Sequence, residues 1–340
     1  MNEKTIIVPD HYKRFVCAAD SCPDTCCKGW DIVVDDETLA FYREKGDKRL
    51  LERIAPDSDG DMVITFENGV CPFLEGGLCS VQKRYGERRI CTTCRVFPRV
   101  CHDYTEFEER LLTLACPETA RLMIVGREDF RELDGLRVSR TDNGYLREYM
   151  NFLLAVRERT FSLLRSDEPF VQKMKSVFSF TEHAQALIDN EIFDEARLDG
   201  CPDLSFCGTV QDRARIFGLH SRLDVMDENW LAEAVSCKDE ALPDSIDGEL
   251  ASLVLYYAAR YTLTAVSSYD VITTIKRAWC AAVVCGALIS RENAENDPLR
   301  RALIYQKYSK EIEHSDENLD IMTDEFLCGE LSSQRMIGNY

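Results

Sequence analysis

Positive charge is scarce in this 340-residue sequence: 41 Lys and Arg stand against 60 Asp and Glu, for a net charge of −19 and a pI near 4.8. Holding nucleic acid through its phosphates requires a basic surface, so the composition argues against that class. A basic or lysine-presenting partner suits an acidic surface, which also serves solubility alone. Long apolar runs are missing too. The opening MNEKTIIVPDHYKRF has neither the uninterrupted apolar core nor the small-residue cleavage site of a secretion signal, so a cytoplasmic location is expected. Leu253 to Val271 is interrupted by Arg260 and Asp270, and Ala278 to Ser290 falls short of the roughly 20 residues a bilayer needs, so no span is expected. No glycine-rich GxGxxG turn follows a strand, which excludes the ordinary dinucleotide-binding layout. Internal repeats and low-complexity linkers are also lacking.

Cysteine, by contrast, is abundant and unevenly placed. Ten of the 16 precede residue 117, whereas those at 201, 207, 237, 280, 285 and 328 are scattered. In a reducing compartment, clustered thiols at short spacings read as ligands for zinc or an iron–sulfur cluster rather than as disulfides. The candidate ligands are Cys17, Cys22, Cys26, Cys27, Cys71, Cys79, Cys91 and Cys94. Two intervening residues let the sulfurs of Cys91 and Cys94 reach one centre. Adjacent Cys26 and Cys27 diverge in extended backbone and share a centre only if a turn intervenes. Eight thiols exceed one zinc site, although an excess of thiols does not fix stoichiometry. Cys280 and Cys285, on an apolar helical segment, read as small buried hydrophobes.

The pattern predicts a mainly α (α+β) fold in which an irregular, cysteine-rich metal-binding N-terminal region with short strands packs on a C-terminal helical domain. The division is placed at 1–127 and 128–340. WDIVVD and DMVITF read as strands and Asp36 to Lys45 as a brief helix, in a segment with little core of its own that a metal would cross-link. From about Glu106 the spacing becomes helical. Pro117 opens one helix, and Leu146, Tyr149, Met150 and Leu153 form a stripe behind Asp142. Further helices are expected near 169–189, 209–237, 247–290 and 297–329, with a hinge at Asp199 to Gly208.

Four blocks, CAADSCPDTCCKGW, CPFLEGGLCSVQ, CTTCRVFPR and LACPETARL, resemble successive segments of the flagellin lysine-N-methylase family, which shares its cysteine pattern with a broader class of zinc- or iron-chelating domains. LVLYYAARYTLTAV and YSKEIEHSDENL agree with the same family, and the latter points to its methylase branch. The resemblance implies transfer of a methyl group from S-adenosylmethionine to lysines of flagellin or another lysine-presenting protein, in the cytoplasm, with an iron–sulfur cluster (4Fe-4S) as the metal centre and zinc as the alternative.

Lysine methylation is an in-line displacement by a neutral amine, so a site must align the groups and take a proton. If one helix from Pro298 ran through them, Glu311, His314, Ser315 and Asn318 would share a stripe, making Glu311, His314 and Asn318 the candidate catalytic set. The competing reading has Ser315 or Asp316 capping a new helix. Tyr257, Arg260 and Tyr261 share a face and are candidates for holding the methyl donor, with a buried ion pair at Arg260 as the structural alternative. Methyl transfer needs no redox change, so a structural role for the metal is favoured. Rival readings are a non-enzymatic zinc- or iron-carrier protein and a thiol redox enzyme using Cys91 and Cys94.

Overall fold

A computed structural model describes residues 3–30, 32–125, 129–140 and 142–337. Along the chain come β1 (Glu3–Pro9), β2 (Ile32–Val33), α1 (Asp36–Lys45), α2 (Lys48–Leu51), β3 (Ile54–Pro56), β4 (Met62–Ile64), β5 (Leu74–Glu75), β6 (Leu78–Cys79), α3 (Ser80–Tyr85), α4 (Thr92–Val96), β7 (Arg99–Asp103), β8 (Phe107–Leu112), α5 (Pro117–Val125) and β9 (Phe130–Ser139). Helices follow: α6 (Arg147–Leu164), α7 (Phe170–Asp189), α8 (Val210–His220), α9 (Glu228–Ser236), α10 (Asp247–Tyr261), α11 (Ala265–Ser268), α12 (Ile272–Glu292), α13 (Pro298–Tyr308), α14 (Asp316–Cys328) and α15 (Ser333–Met336). The architecture is mainly helical with strands.

One four-stranded sheet has the order β7-β8-β1-β9, with β1 parallel to β8 and antiparallel to β9. Pairing of β1 with β9 crosses the division expected at 127/128. The cysteine-rich segment is therefore an excursion between β1 and β7. Two stretches expected to be helical, within 106–112 and 130–139, are strands. In β8 the burial alternates, with Phe107, Glu109 and Leu111 inward, and the buried Glu109 is matched by Arg157 of α6 at 2.8 Å. That charge on the inner face disguises the period of two.

The excursion holds a three-stranded sheet (β2-β4-β3), the β5–β6 hairpin and three short helices besides α2. Contrary to expectation it has a core of its own: Ile32, Val34, Leu39, Tyr42, Leu50, Ile64, Phe73, Val81 and Ile90 are buried with Cys71 and Cys91. Helix α1 has the expected bounds because both ends are set locally. The Asp35 carboxylate accepts from Thr38 N at 3.0 Å, and Gly46 takes the left-handed conformation (φ 60°) that ends the helix.

In the body, α12 is buried on nearly every side, with Cys280 and Cys285 fully enclosed, so its apolar composition serves the core. It is the one helix among the described residues long and apolar enough to cross a membrane, and 94% of its most apolar window is buried within the fold. The helix expected over 247–290 breaks at Tyr269 (φ 57°), and that over 209–237 divides into α8 and α9.

Candidate functional site

A cavity of about 320 Å³ opens inside the excursion, lined by Cys26, Cys27, Cys71, Cys79, Cys91 and Cys94 together with Trp30, Tyr42, Phe73, Phe97 and His314. Six of the eight candidate thiols therefore meet around one space. Cys17 and Cys22 are absent from its wall. Cys26 and Cys27 occupy a turn, as both require to face one cavity. The turn is anchored by Cys71 N donating to Cys27 O at 2.9 Å and Gly29 N donating to Gly69 O at 3.0 Å. Gly29 has φ +93°, and a Cβ there would lie 2.7 Å from the Met226 sulfur, so only glycine fits. Cys91 precedes α4 and Cys94 lies one turn on, which turns both sulfurs to one side.

These thiols are electrostatically uneven. The Cys27 thiol is held down to about 6, chiefly by a hydrogen bond from Cys26, which is pushed up in turn. The same division holds at Cys91, lowered by the bond from Cys94 despite burial, while Cys94 is raised by bonding to it. Burial pushes Cys71 up to about 12. Each pair thus sets a thiol whose pKa is lowered beside one whose pKa is raised. Among the described residues no three His, Cys, Asp or Glu side chains converge on one point closely enough to hold a single ion.

His314 comes from the helical body and is the only candidate catalytic residue on the cavity wall. Its ring lies 5.5 Å from that of Trp30, and its Nε2 is 2.7 Å from Thr113 Oγ1. Burial lowers its pKa; Glu313 opposes and Arg260 reinforces that, leaving a neutral imidazole at neutral pH. The helix from Pro298 does not run through this region. A π-helical turn at Ser309–Glu313 follows α13, and Ser315 caps α14, its side chain accepting from Asn318 N at 3.2 Å. The single stripe of Glu311, His314 and Asn318 is therefore not formed.

Glu311 and Asn318 instead clasp the loop at 224–227. Glu311 accepts from Met226 N at 2.7 Å and pairs with Lys307 at 2.7 Å, while Asn318 Nδ2 donates to Asp224 O at 2.6 Å. Met226 of that loop packs on Gly29, so both residues support the cavity from behind.

Arg260 finds the partner its burial demands in Glu313, at 2.5 Å. The same carboxylate accepts from Tyr256 OH and Tyr261 OH, each at 2.7 Å, and from Ser309 Oγ at 2.5 Å. Tyr257 is buried between the rings of Tyr256 and Tyr261. Two of the candidate donor-binding trio, Arg260 and Tyr261, thus bind a carboxylate of the protein itself, with Tyr257 packed beside them. Glu313 and Thr113 escaped the sequence reading, although a lone arginine in an apolar helix signalled that some buried acid must exist.

No family model and no solved structure matches the chain. Among curated proteins, it is 36% identical to the lysine-N-methylase of Salmonella typhimurium over a 135-residue alignment covering 36% of this chain and 33% of that protein. The same identity and length hold for the lysine-N-methylase of Salmonella choleraesuis, again 33% of it. For the flagellar biosynthetic protein FliU of Salmonella muenchen, also 36% identical over 135 residues, the alignment covers 79% of the relative. The match spans about a third of the two methylases' own length and most of FliU, and on it the chain belongs to the lysine-N-methylase and FliU family.

Proposed function

We propose that the chain is an S-adenosylmethionine-dependent protein-lysine N-methyltransferase acting on flagellin or a similar lysine-presenting protein, with an iron–sulfur cluster held in its cysteine-lined cavity. The observation that carries this reading is the position of His314. The late block YSKEIEHSDENL and the N-terminal cysteine blocks, 200 residues apart and more, meet at one wall. A neutral imidazole there is suited to accept the proton an ammonium must lose before its nitrogen can attack. Trp30, Tyr42, Phe73 and Phe97 give the cavity aromatic faces that favour a cationic group. No carboxylate stands among the described lining residues, so attraction of the substrate's lysine is left to the overall charge of −19.

The donor set fits a cluster better than one zinc. A tetrahedral ion needs four ligands at about 2.3 Å from one point, whereas six sulfurs here stand dispersed around about 320 Å³. Four of Cys27, Cys71, Cys79, Cys91 and Cys94, Cys27 among them, would hold it, and when bound the cluster would tie three chain segments together. Methyl transfer is a polar displacement with no redox change: the amine lone pair forms the new N–C bond and the C–S pair leaves with sulfur, so the cluster's role would be structural.

The test is mass spectrometry of flagellin lysines after incubation with anaerobically purified protein and S-adenosylmethionine. Wild type is expected to add methyl groups and a folded His314→Ala variant to lose at least about 100-fold in rate, the usual weight of a general base. Full activity in the variant would remove His314 from the mechanism; an inactive, metal-loaded wild type would overturn the assignment for flagellin.

A further inference from the structure

We infer that Thr113 is a positioning residue of the transfer: it holds His314 by Nε2 and so makes Nδ1 the nitrogen that takes the proton of the substrate lysine. This role rests on His314 being the base of a methyl transfer. Thr113 follows β8 directly and is 1% exposed. Its own bonds fix it in place: its N donates to Pro98 O at 2.8 Å, its carbonyl accepts from Cys116 N at 3.3 Å, and Oγ1 accepts from Ala115 N at 3.3 Å. The next residue holds the other side of the same turn. Leu114 N donates to Tyr256 OH at 3.2 Å, and that hydroxyl donates to Glu313. Thr113 and Leu114 therefore secure His314 and Glu313 from one strand end, and Trp30, edge-on to the imidazole at 5.5 Å and 70°, supports the ring from the cavity side.

A hydroxyl both donates and accepts, so the bond to Thr113 is compatible with either tautomer of the ring. The chemistry chooses between them. Nε2 lies 2.7 Å from Oγ1, against a buried wall where no substrate amine can reach it. Nδ1 has no hydrogen-bond partner among the described residues and is the nitrogen left for the cavity. Its lone pair is free only when the ring proton sits on Nε2 and is donated to Oγ1. In the step itself, an N–H bond of the lysine ammonium breaks, its electron pair stays on the lysine nitrogen, and the proton joins Nδ1. The freed pair then forms the N–C bond while the C–S pair leaves with the sulfur of S-adenosylmethionine. The imidazolium keeps its Nε2–H bond to Oγ1, which its charge strengthens, so the ring holds one orientation through proton uptake.

The experiment compares flagellin methylation by wild type, Thr113→Val, Thr113→Ser, His314→Ala and the Thr113→Val/His314→Ala double variant, each purified anaerobically and matched for iron content and circular dichroism. Valine keeps the shape of threonine without the hydroxyl; serine keeps the hydroxyl. Heteronuclear NMR of the imidazole nitrogens, with the His314 signals assigned by their absence from His314→Ala, gives a second readout that needs no turnover and no folded Thr113→Val. Thr113→Val is expected to lower kcat about tenfold at unchanged KM, the weight of one hydrogen bond to a charged group, with recovery in Thr113→Ser. Added to His314→Ala, it should cost nothing further. The wild-type spectrum should show Nε2 protonated and Nδ1 bare. A Thr113→Val variant as fast as wild type, or one that loses its full tenfold even without His314, would overturn the positioning role and leave His314 as the base. Protonated Nδ1 in the wild type would overturn it whether or not methylation is detected. A metal-loaded wild type that transfers no methyl group would sink the reaction on flagellin and this role with it.

Discussion

Glu313 gathers polar contacts from Arg260, Tyr256, Tyr261 and Ser309, of which the sequence signalled the buried ion pair at Arg260 but not the acid that supplies it. Burial alone would raise its pKa, but Arg260 above all, then His314, Ser309 and Tyr261, outweigh that and hold the carboxyl below its ordinary value. It is fully enclosed, with Arg260 8% exposed. Removing one partner of such a pair strands the other charge in a low-dielectric interior, at about 3–5 kcal/mol. Glu313→Ala is therefore expected to lower unfolding free energy by that amount in urea titration with an unchanged slope, and a loss below about 1 kcal/mol would show that water reaches Arg260. The sign with pH follows from the depressed pKa. The Glu313 contribution is present above about pH 4.5 and is lost as pH falls through its lower folded value.

The element that delivers His314 is the π-helical turn between α13 and α14. Its extra residue lets Glu313 turn inward to Arg260 while the chain resets at Ser315, and the reset brings His314 to the cavity rather than onto the Glu311 and Asn318 side. Ser315→Ala removes the side-chain acceptor for Asn318 N and is expected to cost about 1 kcal/mol in stability. Because Asn318 also clasps the 224–227 loop, Ser315→Ala should raise hydrogen exchange at Asp224 and Met226 as well as in the first turn of α14; exchange confined to α14 would show that the loop is held independently. This difference in reach explains what the sequence disclosed. Helix α1 was legible to the residue because Asp35 and Gly46 are its neighbours. The thiol cavity was legible through local spacings such as Cys91 to Cys94. The π-turn and the strand β8 were not, since each depends on a partner far along the chain: Arg260 for Glu313 and Arg157 for Glu109.

At the scale of the molecule, two electrostatic effects oppose each other on acidification. Protonating carboxylates relieves the self-repulsion of a net charge of −19, which favours the compact state. Against this stand three histidines, the buried His11 and His220 and the half-buried His102, each lowered chiefly by desolvation from 6.5 to about 4. At His220 complete burial holds the ring neutral against the opposing pull of the bond that Nδ1–H donates to Ile216 O at 2.6 Å, and Nε2 lies 2.8 Å from Tyr308 OH. At His102 the nearby Arg260 and Arg157 add to the penalty on a charged ring. Since the folded pKa lies below the unfolded one, the unfolded chain takes up protons first. Stability from these groups is complete above pH 6.5 and lost as pH falls toward 4, each histidine costing about 1.4 kcal/mol for every tenfold loss of proton affinity on folding. That sum rivals a total stability of about 5–15 kcal/mol. The histidines should therefore win between pH 7 and 5, before most carboxylates titrate. The urea midpoint is expected to fall across that window and to fall further at high salt, where relief of repulsion is already screened. His220→Gln should flatten the slope. A midpoint that holds steady or rises down to pH 5 at both salt concentrations would mean that the histidines gain protons without unfolding, and that surface charge governs the acid response.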